Sequence, residues 1–149
     1  MIMKTLGSIV KDSSRELYSV SVDSTVQYAA EYMAARNIGA VTVVEGDRVV
    51  GLFSERDLMK RVIAKDRNPK AVTVGEVMTT ELIAGSPNDS CQEGISKMRQ
   101  AKGRHLPILD GHNFLGLISL RDLLEVEMDE QAEELRMLNT YIHYIPPGL

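Results

Sequence analysis

The chain has 149 residues, 44% of them hydrophobic and 26% charged, with a formal charge of −4. That balance belongs to a folded globular protein, and its acidity argues against nucleic acid as the main partner, because neutralising phosphates takes a basic face. No apolar run approaches the roughly 18 residues of a membrane span, and the single cysteine, Cys91, excludes an internal disulfide and a multi-cysteine zinc site.

The first residues, MIMKTLGSIVKDSS, hold one lysine and no long apolar stretch, so no signal peptide is expected and the expected location is cytoplasmic. Ser24 and Thr25 can cap a helix whose apolar stripe is Val26, Ala29, Ala30 and Met33. Two β-branched runs follow, Ala40–Val44 and Arg48–Phe53. Gly46-Asp47 between them predicts a hairpin, because tight turns need positive φ. A second helix starts near Ser54, and the polar stretch 64–71, with Pro69, suits a linker. The same order then recurs. Ser90-x-x-Glu93 is a possible capping box before a stripe of Cys91, Ile95 and Met98, where a buried, inert thiol is expected at Cys91. His105–Leu109 and Phe114–Ile118 flank Asp110-Gly111, and a longer helix runs from near Ser119 to about Tyr141. Its stripe, Leu124, Met128, Leu135, Leu138 and Ile142, is interrupted by acidic residues, and Pro146-Pro147-Gly148 predicts an extended tail.

The recurrence is a duplication. A shift of 65 positions aligns Ser21–Leu58 with Ser86–Leu123 without a gap, and Gly51/Gly116, Leu52/Leu117, Ser54/Ser119, Arg56/Arg121, Asp57/Asp122 and Leu58/Leu123 are among the identical pairs. Upstream, Thr5–Val10 matches Thr73–Met78 at a shift of 68, so the first copy carries three extra residues. With a short strand before its first helix, each half reads β-α-β-β-α. The fold class is therefore α+β and sandwich-like, with units at 5–66 and 72–128, a linker at 67–71, and a C-terminal helix extension and tail at 129–149. A half of this size buries too little apolar surface to stand alone, so the halves should pack sheet to sheet about a pseudo-two-fold axis.

The residues able to do chemistry gather where a strand ends and a helix begins: Gly51-Leu-Phe-Ser54-Glu-Arg56-Asp57 and Gly116-Leu-Ile-Ser119-Leu-Arg121-Asp122. Ser-x-x-Asp is a capping box on one reading. The other reading starts from Arg56 and Arg121, cations in a first helical turn that the helix dipole disfavours. A bound anion shared between backbone amides and guanidinium would explain them, and phosphate suits the planar fork of arginine. Salt bridges to Glu55 or Asp57 are the competing explanation. His105 reads as a packed or surface strand residue, or as a cleft residue. No Ser/His/Asp, Cys/His or metal constellation is present, so the chain is not expected to be an enzyme, and no catalytic cofactor or metal is implied.

The order, spacing and duplication of these elements, and strings such as GLFSERD and RHLPIL, closely resemble a tandem pair of cystathionine-β-synthase (CBS) domains, a Bateman module, of the small stand-alone bacterial type. The resemblance implies a regulatory module that binds an adenine nucleotide, AMP, ATP or NAD, in clefts between the halves. In the first cleft, backbone at Val20, Ser21 and Val22 and at Ile38, Gly39, Ala40 and Val41 would bracket the base. Ser54 and Asp57 would hold phosphate and ribose, with Arg56 and Arg61 on phosphates. In the second, Arg104, His105, Leu106, Pro107, Ser119, Arg121 and Asp122 would take the same parts. It also implies a homodimer, with the regulated partner supplied in trans; the partner protein is not legible. The alternative is a structural dimerisation module with no physiological ligand.

Overall fold

The computed structural model describes residues 4–12 and 18–143. The elements are α1 (Leu6–Asp12), β1 (Ser19–Ser21), α2 (Val26–Arg36), β2 (Ala40–Glu45), β3 (Arg48–Ser54), α3 (Glu55–Asp57), α4 (Val74–Val77), α5 (Cys91–Ala101), β4 (His105–Asp110), β5 (Asn113–Ser119) and α6 (Leu120–His143). From Leu58 to Ile63 the backbone continuing α3 widens into π turns, with the Ala64 amide donating to the Met59 carbonyl. The predicted tail at Pro146-Pro147-Gly148 lies outside the described residues.

Local chemistry accounts for the element ends. The Thr25 hydroxyl accepts from the Tyr28 amide and the Ser90 hydroxyl from the Glu93 amide, each at 3.1 Å. Asn37 and Lys102 close α2 and α5 in the left-handed region, at φ 53° and 55°. The hairpin turns are where the sequence puts them, with Gly46 and Gly111 at φ 62° and 61°. The first sheet has the order β1-β2-β3, with β1 parallel and β3 antiparallel to β2.

The second half departs from the prediction. Its expected first strand shrinks to one bridge, Gly85 with Ile108, so only β4 and β5 form a sheet. The bridge is the duplicate of the Val20–Val43 pairing in β1. Gly85 lacks the side chain that anchors Val20 in the core, and Pro87 follows it. A Cβ at Gly85 would lie 2.7 Å from Ile108 Cδ1 and 2.9 Å from both Leu106 Cδ2 and Leu6 Cδ1. Leu6 occupies the volume that Val20 fills in the first half.

That contact exposes the main feature of the packing. Leu6 comes from the first copy, yet it is fully buried with Cys91, Met98, Leu106, Ile108, Ile118 and Leu123 of the second. Its counterpart Val74, from the second copy, is fully buried with Val20, Val26, Val41, Val43, Phe53 and Val62 of the first. The backbone repeats the exchange. Leu6 and Gly7 amides donate to the Asp89 and Pro87 carbonyls at 2.9 Å, and Val74 and Gly75 amides donate to Ser24 and Val22 carbonyls at 2.8 and 3.0 Å. Each half thus completes its core with the other's leading helix, and the marginal size of a half explains why. The linker is held as well: the Gln27 and Val26 amides donate to the Pro69 and Val72 carbonyls at 2.9 Å, using groups that α2 leaves open at its start.

Candidate functional site

Both strand-to-helix junctions are capping boxes. At the first, Asp57 Oδ2 accepts from the Ser54 amide at 3.0 Å and the Ser54 hydroxyl at 3.1 Å, while the Asp57 amide donates to Ser54 Oγ at 3.3 Å. At the second, the Ser119 amide donates to Asp122 Oδ2 and the Asp122 amide to Ser119 Oγ, both at 3.0 Å. The first carries more. Asp57 is only 6% exposed, its Oδ1 accepts from the Thr79 hydroxyl at 3.2 Å, and the Arg61 guanidinium lies 3.7 Å from the same oxygen. Arg61 also donates to the Val77 and Met78 carbonyls at 3.2 and 2.9 Å. Arg61 therefore ties the exchanged segment 77–79 to the Asp57 carboxylate, with half of its side chain open to solvent.

The two duplicated arginines diverge. Arg56 reaches across the molecule and donates to the Lys102 carbonyl of the other half at 3.0 Å. Arg121 is 88% exposed and pairs along its own helix with Glu125 at 3.4 Å, a partner other than the junction carboxylates expected. The local reason is one residue: Glu125, which pairs with Arg121 one turn on, corresponds to Lys60 in the first copy, a like charge that cannot hold Arg56.

The bracketing backbone is largely committed to the fold. The Val22 amide and carbonyl bond to Val44 and Gly75, the Gly39 carbonyl accepts from the Glu55 amide at 3.0 Å, and the Arg104 carbonyl accepts from the Leu120 amide at 2.7 Å. Val20, Val41 and Leu106 turn their side chains into the cores, and Pro107 lies within buried β4. Ser21 pairs with Val44 at the end of β1, and Ala40 pairs with Ser54 at the start of β2. Ile38 and Gly39 do line an open groove, of about 380 Å³, with Asn37, Glu55 and Leu58. The Glu55 carboxylate lies against the open side of Gly39.

His105 stands between the halves. Burial pushes its imidazole below the ordinary histidine range, opposed by the Asp122 carboxylate of its own half and the Glu55 carboxylate of the other, and assisted by Arg104. Thus Glu55, Arg56, Lys102, Gly103, Arg104 and His105 meet where the first junction faces the start of β4. Gly103 has open space on its side-chain face. Glu55 and Lys102 were not among the residues expected at the cleft. Thr79, the partner of Asp57, lies outside the duplicated block, and no sequence signal points to it. Burial, with the Glu130 and Glu127 carboxylates, pushes the Cys91 thiol up, as suits an inert core residue. Among the described residues no group of three or more His, Cys, Asp or Glu could hold a metal, and no helix is long and apolar enough to cross a membrane.

Two duplicated α+β units with exchanged leading helices and paired Ser-x-x-Asp junctions define the class: a tandem module built around the face between its halves. The CBS domain family matches residues 7–64 and again 74–129, and the chain belongs to it as a tandem CBS pair. The chain is 36% identical over 133 residues to the CBS domain-containing protein YhcV of Bacillus subtilis, covering 89% of this chain and 94% of that one. A protein with CBS domains from Burkholderia ambifaria superposes with a TM-score of 0.80 at 37% identity, over 86% of this chain and 96% of that one. The CBS domain pair of protein MJ0100, solved with 5′-methylthioadenosine and S-adenosyl-L-methionine, shares the fold at a TM-score of 0.76 and 18% identity, over 87% of this chain and 99% of that one.

Proposed function

We propose that this CBS pair is a regulatory module that binds an adenine nucleotide, AMP, ATP or NAD, between its halves, and that it acts on a partner in trans. The observation that carries the reading is Arg56. Its guanidinium crosses to the other half and, among the described residues, holds a neutral carbonyl, that of Lys102, beside Arg104 and the open face of Gly103. The guanidinium fork can bond phosphate bidentately, with both partners charged, where the carbonyl takes a single bond to a neutral oxygen. A nucleotide phosphate would therefore draw Arg56 from the carbonyl that joins the halves. Binding and the relation between the halves are coupled through that one side chain, which is what a sensor needs.

Asp57 would take the ribose diol by giving up Thr79, its longest hydroxyl contact, while keeping the Ser54 cap. The groove at Ile38 and Gly39 offers an apolar wall beside the same junction for the base. Adenosine ligands bound to the same fold in MJ0100 support the ligand class. Arg61, half exposed beside Asp57, would join Arg56 on the phosphates, and Arg121 belongs to the second cleft. The structural alternative is favoured by the complete capping boxes, which need no ligand.

Calorimetry of ligand-free protein against AMP, ATP and NAD decides between the readings. Micromolar binding to the wild type, weakened on the order of tenfold or more in Arg56→Gln, is the expected outcome. No heat with any of the three refutes the sensor reading.

A further inference from the structure

The groove beside the first junction, of about 380 Å³, falls within the size range of small-molecule sites, about 300–1,000 Å³. Its space comes from small residues. Ala30, Ala34 and Gly39 line it, and their counterparts in the second half are the larger Ile95, Arg99 and Arg104. Ile38 and Leu58 give it apolar walls, and among the described residues Glu55 is the one charged side chain that lines it.

The backbone seats that carboxylate. The Glu55 amide donates to the Gly39 carbonyl at 3.0 Å, and a Cβ at Gly39 would lie 3.4 Å from the Glu55 carboxyl carbon. The second junction repeats the backbone bond, from the Leu120 amide to the Arg104 carbonyl at 2.7 Å, but puts leucine where the carboxylate was. Folding does not use the charge. Ser54 and Asp57 supply the cap, and among the described residues no hydrogen bond or ion pair holds the exposed Glu55 carboxylate. A purely structural glutamate in a first helical turn answers to the helix dipole alone, and that role makes no demand on the groove.

An ionised carboxylate only accepts hydrogen bonds and repels phosphate, so what it takes from a ligand is a donor. On a purine nucleotide the donors are the ribose hydroxyls and the N–H groups of the base. With the phosphate drawn to Arg56 and the ribose to Asp57, the base is what remains for Glu55. We propose that Glu55 reads the base in this groove: its carboxylate accepts from the 6-amino group of adenine and rejects purines with a 6-oxo group, whose lone pairs would face it. A site built to accept from an N–H discriminates sharply against the analogue that lacks it. The inference rests on the nucleotide reading above and adds the residue that sets base preference, outside the Ser, Arg and Asp set that the duplication repeats.

The test is titration calorimetry of the ligand-free full chain with AMP, ATP and NAD, each against its hypoxanthine counterpart, and with GMP. The wild type binds the adenine member of a pair about tenfold or more tightly than the 6-oxo member, as one hydrogen bond to a charged group provides. In Glu55→Gln the side-chain amide turns to donate or to accept, and the two members come within about threefold of each other. Glu55→Leu, which installs the residue of the second junction, likewise brings the adenine member towards its 6-oxo counterpart. Loss of the negative charge strengthens every phosphate ligand alike, so the ratio within a pair is the readout rather than either affinity. A wild-type ratio near one, a ratio unchanged in Glu55→Gln, or GMP bound more tightly than AMP overturns the proposal while leaving nucleotide binding in place. A wild type that binds none of these nucleotides overturns the nucleotide reading itself, and this proposal with it.

Discussion

Replacing Asp57 by alanine separates a cap from a binding site, because the two roles respond differently to ligand. The carboxylate is 6% exposed and accepts from the Ser54 amide, the Ser54 hydroxyl and the Thr79 hydroxyl. Alanine strands the Ser54 amide and the Thr79 hydroxyl, at about 1–3 kcal/mol for each donor left without its acceptor, and about 2–4 kcal/mol together once water reaches the opened edge. For a chain of this length, roughly 2–4 °C per kcal/mol, the melting temperature without ligand falls by roughly 5–15 °C. At a hundred times its dissociation constant a nucleotide adds about 2.7 kcal/mol to the wild type, or roughly 5–10 °C on the same conversion. If Asp57 holds the ribose, the variant loses this increment as well as its baseline. Differential scanning calorimetry with and without nucleotide reads both. Thr79→Val is the matched control: it lowers the baseline by removing one partner of Asp57, but it frees the carboxylate and leaves the nucleotide increment intact. An Asp57→Ala protein that melts early yet gains as many degrees from nucleotide as the wild type shows that the aspartate is a cap alone, and the reasoning fails.

Three further outcomes follow, two from the packing and one from His105. Leu6→Ala, at a fully buried site, costs about 2–5 kcal/mol in urea unfolding. Gly85→Ala costs less when combined with Leu6→Val than alone, because Leu6 is one of the three side chains that crowd the position; strict additivity in the double-mutant cycle refutes the exchange of volume. Burial holds folded His105 below the ordinary 6.5, so between the two values the unfolded chain binds more protons. The associated stability is complete above about pH 6.5 and is lost as pH falls towards the folded pKa. His105→Asn flattens this slope in unfolding measured from about pH 5 to 7, and an unchanged slope refutes the assignment.

The parts legible in the sequence were those set by local chemistry. Thr25 and Ser90 cap helices because a short hydroxyl can reach the amide three residues on, and Gly46 and Gly111 turn hairpins because their φ is positive. The duplication supplied the order of elements and the two junctions. What the sequence hid was set by which copy lends which side chain. Leu6 and Val74 read as equivalent positions in equivalent halves, and nothing in their neighbours says that each is buried in the other half. At Gly85 the exchanged Leu6, larger than its counterpart Val74, joins Ile108 and Leu106 in closing the space a side chain would need.

The same limit governs the site. Arg56 and Arg121 are identical in the repeat, yet Arg56 bridges the halves and Arg121 lies along its own helix with Glu125. Duplication copies a side chain but not the surface opposite it. Arg56 faces the Lys102-Gly103-Arg104 turn, which ends α5 with a left-handed lysine and carries two cations. The corresponding turn of the first half, Asn37-Ile38-Gly39, has no charge and lines a groove with Glu55 instead. The Arg56 side therefore gathers three cations with the Glu55 carboxylate beside them, whereas the corresponding turn of the first half brings none of its own. If the sensor reading holds, two sequence-equivalent clefts of such different charge bind one nucleotide unequally, and titration calorimetry then finds one tighter site per chain, at Arg56; two equal sites refute the asymmetry argument.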